Sequence, residues 1–366
     1  MIPIHTTYID PSAEAEVNKV LKTTYLSEGK NTLRFEKQLE KEVGFINPVA
    51  VNSGTTALHL ALVLAGIKTG DEVIIPAQTF VATGLVVIQQ GAKPVFADIN
   101  YNTGNIDPAS IRQKITQKTR AIIPVHWGGM PCDMDEITSI AKEFNLIVIE
   151  DAAHALGAKY KNKSIGSISD YTCFSFQSIK HVTTGDGGAI ACKDQKKYSE
   201  ALTRRWFGID RAKAKTSYLG ERQYDIEFLG FKYHLNDYAA ALGLANLKNF
   251  NERAKQLSSR ASFYRESFKN VPGLSLWLCP DDRESSWWLF GMHAENRNDF
   301  IRAMAKKNIT ASVVHQRIDR NSIFGGLDHS LDNQKLFDKT QVHIPLHCGL
   351  KDDDVHYIIE TIKQGW

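Results

Sequence analysis

The chain has 366 residues, of which 43% are hydrophobic and 23% charged, and a formal net charge of +3. This composition excludes a disordered chain, which could not bury enough apolar surface to offset its conformational entropy, and the length corresponds to roughly two domains. So slight a positive excess, spread along the chain, gives no electrostatic case for nucleic acid or a membrane surface as partner. The five cysteines, Cys132, Cys173, Cys192, Cys279 and Cys348, form no CxxC pair, which leaves no zinc ribbon or thioredoxin-type site. The opening MIPIHTTYID has no basic start followed by a long apolar run. No apolar stretch approaches the roughly 20 residues needed to span a bilayer. A cytoplasmic enzyme is therefore expected.

In chain order, Ala50-Val51-Asn52 reads as a strand leading into Ser53-Gly54-Thr55-Thr56. The run from Ala57 to Ala65 then reads as a helix apolar nearly all round, hence buried. Strands are expected over 72–75, 94–97, 121–125 and 146–150, and helices over 80–89 and 133–144. This βαβα rhythm predicts a mostly parallel sheet flanked by helices. Binding residues in such sheets collect at the carboxyl ends of strands, where Asp151 falls. From about residue 245 the texture changes. A charged amphipathic helix over 251–269 gives way to Pro272 and Gly273, then to strands over 287–293 and 311–314 with a helix over 298–307. The division expected is a large α/β domain over 1–245 and a smaller α+β domain over 246–366.

Four clusters carry chemistry. Small residues at the 53–56 turn, opening a helix, offer free backbone N–H groups for an anion, although Ser and Thr also favour that place as caps. The Pro76-Ala77-Gln78-Thr79-Phe80 stretch ends a strand with an aromatic that could stack on a planar ring or sit in the core. The stretch Glu150-Asp151-Ala152-Ala153-His154 closes an apolar strand with a carboxylate that must be paired or neutralised. Then Phe174-Ser175-Phe176 alternates as a strand, and Lys180 follows just before a Gly-rich turn. Read together, these are an anion cradle, a stacking face, a carboxylate for a pyridine nitrogen and an amine. A pyridoxal 5'-phosphate site needs those parts.

At this point the sequence resembles the DegT/DnrJ/StrS sugar aminotransferases, within the fold-type I pyridoxal phosphate enzymes. The matching stretches include VNSGTTALHLAL, GDEVIIPAQTFVATG, IEDAAHALGA, FSFQSIKHVTTGDGGAI and GFKYHLNDYAAALGLANL, and they span nearly the whole chain. The resemblance implies that Lys180 bonds covalently to the cofactor and later acts as general acid and base, and that Asp151 holds the ring nitrogen protonated. It implies that His154 lies near the ring hydroxyl, that Phe80 stacks on the ring, and that Ser175 with Gly54, Thr55 and Thr56 holds the phosphate. It also implies a homodimer with active sites at its interface. In many members an Asn reaches the partner subunit's phosphate; Lys232 stands at that position here and is expected to do so as a point charge. The stretch Val314-His315-Gln316-Arg317-Ile318-Asp319 resembles a V-H-x-R-x-D segment of members that aminate C4, which makes His315 and Arg317 candidate substrate contacts.

The implied reaction moves an amino group from L-glutamate to a nucleotide-linked 4-keto-6-deoxy hexose, giving a 4-amino-4,6-dideoxy sugar of the viosamine type for surface glycans such as O-antigen. A 3-keto sugar is the alternative acceptor. Two rivals are a related dehydratase, in which His replaces the lysine, and a non-catalytic binding protein on the same scaffold. Lys180 argues against the first, and Lys180, Asp151 and Ser175 together argue against the second.

Overall fold

Strands covered by helices on both faces carry apolar residues at every position, without alternation. The computed structural model, which describes residues 1–211 and 213–366, shows this pattern in its central sheet. Pro48–Val51 (β1), Glu72–Pro76 (β2), Lys93–Ala97 (β3), Thr119–Ile122 (β4), Ile147–Asp151 (β5), Tyr171–Ser175 (β6) and Gly188–Cys192 (β7) form one seven-stranded sheet. Its order is β1-β7-β6-β5-β4-β2-β3. Pairings from β3 through β6 are parallel, and β7 runs antiparallel to both of its neighbours. Successive side chains enter opposite cores: Ile74, Val148 and Phe174 on one face, Val73, Ile75, Ile149 and Cys173 on the other. The expected mostly parallel sheet is present.

The helix after β1 spans Gly54–Leu64, three residues earlier than its apolar run begins, because Ser53 caps it. Its residues 57–62 are all buried, as an all-round apolar helix requires. The C-terminal part builds a three-stranded antiparallel sheet from Leu274–Leu276 (β8), Phe290–Ala294 (β9) and Gln341–Ile344 (β10). With the helices Phe250–Phe268, Arg297–Lys306 and Asp352–Lys363 it encloses a core of its own. Two expectations shift here. The strand placed at 287–293 starts only at Phe290, because Trp287 takes a left-handed φ of 54°. The strand placed at 311–314 shrinks to a single reciprocal pair between Ser312 and His343, since Val314 at φ 60° cannot continue it. Ile318 and Leu331 pack into the large domain's core, and Trp127, Trp277, Trp288 and Phe337 form a cluster between the two parts. No helix among the described residues is long and apolar enough to cross a membrane.

The strand that feeds the 53–56 turn is pinned by a buried ion pair. Arg205 donates to Glu36 Oε1, to the Ala50 carbonyl at 2.9 Å and to Glu28 at 2.8 Å, while Glu36 accepts the Ala50 N–H at 2.8 Å. Both members of the Arg205–Glu36 pair are buried, so removing one strands the other's charge, at a cost of about 3–5 kcal/mol. Arg205→Leu is expected to lower the thermal unfolding midpoint clearly, and to weaken anion binding at the turn because β1 loses its anchor. Differential scanning calorimetry with and without phosphate checks both effects.

Candidate active site

At the carboxyl ends of β5 and β6 lies a cavity of about 340 Å³, lined among others by Ser53, Gly54, Thr55, Phe80, Asp151, His154, Ser175, Lys180 and His315. The anion end is the turn after β1. Ser53 Oγ accepts the Thr56 N–H at 3.1 Å, and Thr56 Oγ1 accepts the Ser53 N–H at 3.1 Å, a reciprocal cap. The N–H groups of Gly54 and Thr55 belong to the first helical turn, which has no intrahelical acceptor for them, and they open on the cavity. Gly54 is required by closeness, since a Cβ there would lie 2.9 Å from Ser175 Cβ. Thr56, expected as a phosphate ligand, does not border the cavity. Its hydroxyl is engaged by the cap and by Asn52 Oδ1 at 2.9 Å.

Asp151 closes β5 and is buried. Its Oδ2 accepts the Thr83 hydroxyl at 2.7 Å, Thr83 is itself 2.7 Å from the Thr79 hydroxyl, and Oδ1 accepts the Ala153 N–H at 3.2 Å. Burial pushes the carboxyl above the usual carboxylate range, against the pull of those donors. Lys180 sits in the turn after β6, held by its N–H to the Gln177 carbonyl at 2.9 Å. Burial lowers its amine from 10.5 to about 7, with Asp151 opposing the shift. An anion and a cation are each disfavoured here alone, which suits a site completed by a ligand carrying both charges.

The small domain supplies the wall beside the lysine. Lys180 Nζ lies 3.7 Å from the centre of the Trp288 ring, and His154 stacks on Trp288 at 3.7 Å and 15°. Trp288 Nε1 donates to the Ile179 carbonyl at 3.0 Å, which fixes the ring against the lysine turn. His154 Nδ1 is buried without a partner among the described residues, so a polar group of a ligand can be received there. Burial, then Lys180, holds His154 well below its ordinary value, and the same causes lower His315 to about 4, so both rings are neutral near pH 7. Phe80 and His315 face each other at 5.1 Å between ring centres. Phe80 is 52% exposed, an open aromatic face on a cavity and not a core residue. Trp287 and Val314, which directly precede Trp288 and His315, both take left-handed backbone angles that such residues rarely adopt, worth about 1–3 kcal/mol each in strain.

Besides Thr56, two further expected residues lie elsewhere. Arg317 is buried and forks onto the carboxylate of Asp319, with a further bond to the Asp328 carbonyl at 3.0 Å. It does not border the cavity, and its charge is consumed in shaping the 317–328 loop behind His315. Lys232 is exposed, 5.3 Å from the Trp206 ring, and also lies outside its own chain's cavity. Sequence reasoning missed Thr83 and Trp288. Thr83 gave no local signal, since it meets Asp151 from 68 residues away in the chain. Trp288 gave none, because its place depends on packing between distant parts of the chain.

A family model for the DegT/DnrJ/EryC1/StrS aminotransferases matches residues 7–363. The chain is 37% identical over 360 residues to the spore coat polysaccharide biosynthesis protein SpsC of Bacillus subtilis, covering 95% of this chain and 92% of that one. It is 32% identical over 375 residues to the UDP-4-amino-4,6-dideoxy-N-acetyl-beta-L-altrosamine transaminase of Campylobacter jejuni, covering 98% and 97%. Among solved structures, the sugar aminotransferase CalS13 of Micromonospora echinospora superposes with a TM-score of 0.95 at 31% identity, covering 100% of both chains. Spr1654 of Streptococcus pneumoniae, solved in a PLP-form, gives 0.91 at 30% identity, covering 99% and 98%.

Two outcomes follow from this geometry. An amine-acylating reagent should label Lys180 of the cofactor-free chain with a rate that rises through about pH 7, because a lowered value leaves the amine neutral above that pH. An ordinary lysine would respond only near 10.5. Mass mapping of the labelled peptide against pH checks this. Thr83→Val removes the 2.7 Å donor to Asp151 and raises its carboxyl further, disfavouring the anion. Loss of a hydrogen bond to a charged group is worth about 1.5–3 kcal/mol, so equilibrium dialysis should show cofactor held roughly ten- to a hundredfold more weakly.

Proposed function

The chain belongs to the DegT/DnrJ/EryC1/StrS aminotransferase family, and on that premise we propose that it transfers an amino group from L-glutamate to C4 of a nucleotide-linked 4-keto-6-deoxy hexose. It is a pyridoxal phosphate-dependent sugar aminotransferase; the donor, the sugar and the carbon are our reading. The observation that carries it is one cavity joining an anion cradle, a buried strand-end carboxylate and a lysine whose amine burial lowers to about 7.

The residues fit the cofactor. Ser53, Gly54, Thr55 and Ser175 would receive its phosphate, and Asp151 would face the ring nitrogen. Phe80 and His154 would hold the ring, with the unpartnered His154 Nδ1 available to a ring substituent. When bound, pyridoxal phosphate supplies an aldehyde that carries the amino group and a ring that withdraws electrons from the carbon being exchanged. Lys180 provides the proton traffic. A neutral amine takes a proton from the donor's α-carbon and, as an ammonium, returns one to C4 of the sugar. The Trp288 ring, 3.7 Å from the amine, limits the approach of water to Lys180 from that side.

His315, on the cavity wall beside Phe80, is placed in our reading against the sugar, with its carbonyl held by Gln78 Nε2 at 3.3 Å. The Campylobacter relative, named for a 4-amino-4,6-dideoxy sugar, supports C4 as the position aminated. The relative named for spore coat polysaccharide supports a surface glycan as the destination. Exposed Lys232, outside its own cavity, is assigned to the phosphate of the partner subunit in a homodimer.

A panel of nucleotide-linked 3-keto and 4-keto sugars with glutamate, read by mass spectrometry, tests the substrate. Amination of a 4-keto-6-deoxy hexose is expected, and amination of 3-keto sugars alone would contradict C4. Mixing Lys180→Ala chains with Lys232→Glu chains tests the assembly. If Lys232 acts across the interface, mixed dimers carry one intact site and activity partly returns; no recovery between chains that exchange subunits contradicts it.

A further inference from the structure

The segment 286–289 carries Trp288 over the lysine, and the buried Ser286 ties it to three separate stretches of chain around the site. The Ser286 N–H donates to the Gly129 carbonyl at 3.1 Å, and its hydroxyl donates to the His154 carbonyl at 2.7 Å. Its own carbonyl lies 2.8 Å from His181 Nε2. A carbonyl can only accept, so that nitrogen carries the proton and donates it. Two further bonds reach out from the same segment, from the Leu289 N–H to the Gly128 carbonyl at 3.1 Å and from Trp288 Nε1 to the Ile179 carbonyl at 3.0 Å. All three polar groups of Ser286 are thus engaged, and two of the partners border the amine. His154 stacks on Trp288, and His181 follows Lys180 in the chain. The fit is close. Gly129 takes a φ of 100°, and a Cβ there would lie 2.5 Å from Ser286 Oγ and 3.0 Å from the His154 carbonyl oxygen. Strain such as that of Trp287, at φ 54°, persists only where the surroundings over-determine the backbone, and the bonds of Ser286 do so immediately before that bend.

We propose that Ser286 is a positioning residue for proton transfer, which binds His154 and His181 at once and so holds the Trp288 ring against the Lys180 amine. Ser286 does not border the cofactor cavity itself. It acts through Trp288, whose ring limits the approach of water to Lys180 Nζ from one side. Burial is the cause that lowers the amine to about 7, and Asp151 opposes it. The other titratable groups facing the amine are His5, His154, His181 and His315, each lowered by burial and neutral near pH 7. Loosening the tie lets water reach Nζ, which favours the ammonium and raises the amine. The tie therefore keeps Lys180 in the range where it can both take and return a proton.

The role in proton transfer rests on Lys180 being the reacting amine, whereas the tie itself does not. Amine labelling of the full chain against pH, mapped to Lys180, reads the effect. Ser286→Ala removes the 2.7 Å bond to His154 and no charge. Its half-point should lie about one pH unit above that of the parent chain, a roughly tenfold fall in the neutral fraction at acidic pH. Gly129→Ala crowds Ser286 without altering its chemistry, and should move the half-point the same way. In a Trp288→Ala background, where the ring is gone, adding Ser286→Ala should leave the half-point where it is. A lowered thermal midpoint with an unmoved half-point, in either folded single variant, would make Ser286 a structural residue only and overturns the proposal. A shift that persists in the Trp288→Ala background also overturns it, because Ser286 would then act by another route. If borohydride mapping placed the cofactor on another lysine, the shift would remain while the role in the reaction would not.

Discussion

A carboxylate cannot be buried at the end of a β-strand without something to balance it, and Asp151 organises the site around that constraint. Its two donors, Thr83 and Ala153, do not restore the ordinary carboxylate range, and burial still drives the carboxyl upward. The nearby lysine answers only in part, because the same burial has driven its amine down to about 7. A protonated pyridine nitrogen would supply the missing positive charge at Asp151. Lys180 would then be left as the neutral amine that transamination needs. The apolar cores packed on both faces of the sheet bury β5 from either side, and its carboxyl end, at Asp151, opens on the cavity.

The second element of the site is carried across from the C-terminal part of the chain. Trp288 closes over Lys180 and His154, and His315 closes over Phe80. Each follows a residue held at positive φ, Trp287 and Val314, in a region that a β-branched or aromatic side chain enters at a cost. The two strained bends place Trp288 against the Lys180 amine and His315 on the cavity wall, a structural cost offset by what those rings do there. The bond from Gln78 Nε2 to the His315 carbonyl at 3.3 Å holds the second of these bends. The C-terminal part of the chain thereby does more than pack against the sheet, since it brings the Trp288 ring to 3.7 Å from Lys180 Nζ and His315 to the cavity wall.

Much of this was legible before any coordinates. Apolar runs of four or five residues between Gly, Pro and Asp identified the strands 72–75, 94–97 and 146–150 within a residue or two of their observed ends, because burial on both faces imposes that pattern. Lys180, Asp151, Ser175, Phe80, His154 and His315 come together in one cavity as expected. What escaped the sequence depended on distant contacts. Thr56 looked like a ligand because Ser and Thr serve both caps and phosphates, and only its bonds to Ser53 and Asn52 decide between them. Arg317 looked like a substrate contact until its guanidinium was seen to be taken up by Asp319. The strand expected over 311–314 failed at Val314, whose backbone angle is set by tertiary demand against its own preference. Trp288 had no local signature at all.

The central claim is that Lys180 is the amine of the cofactor site, and borohydride reduction of the cofactor-loaded protein tests it most directly. Reduction fixes the cofactor to whichever nitrogen holds it, and peptide mapping then reads the position. The pyridoxyl label is expected on the peptide containing Lys180, and it should be lost in Lys180→Ala while that variant keeps its fold. A label on any other lysine, or none on freshly loaded protein, would contradict the assignment of Lys180 and the chemistry built on it.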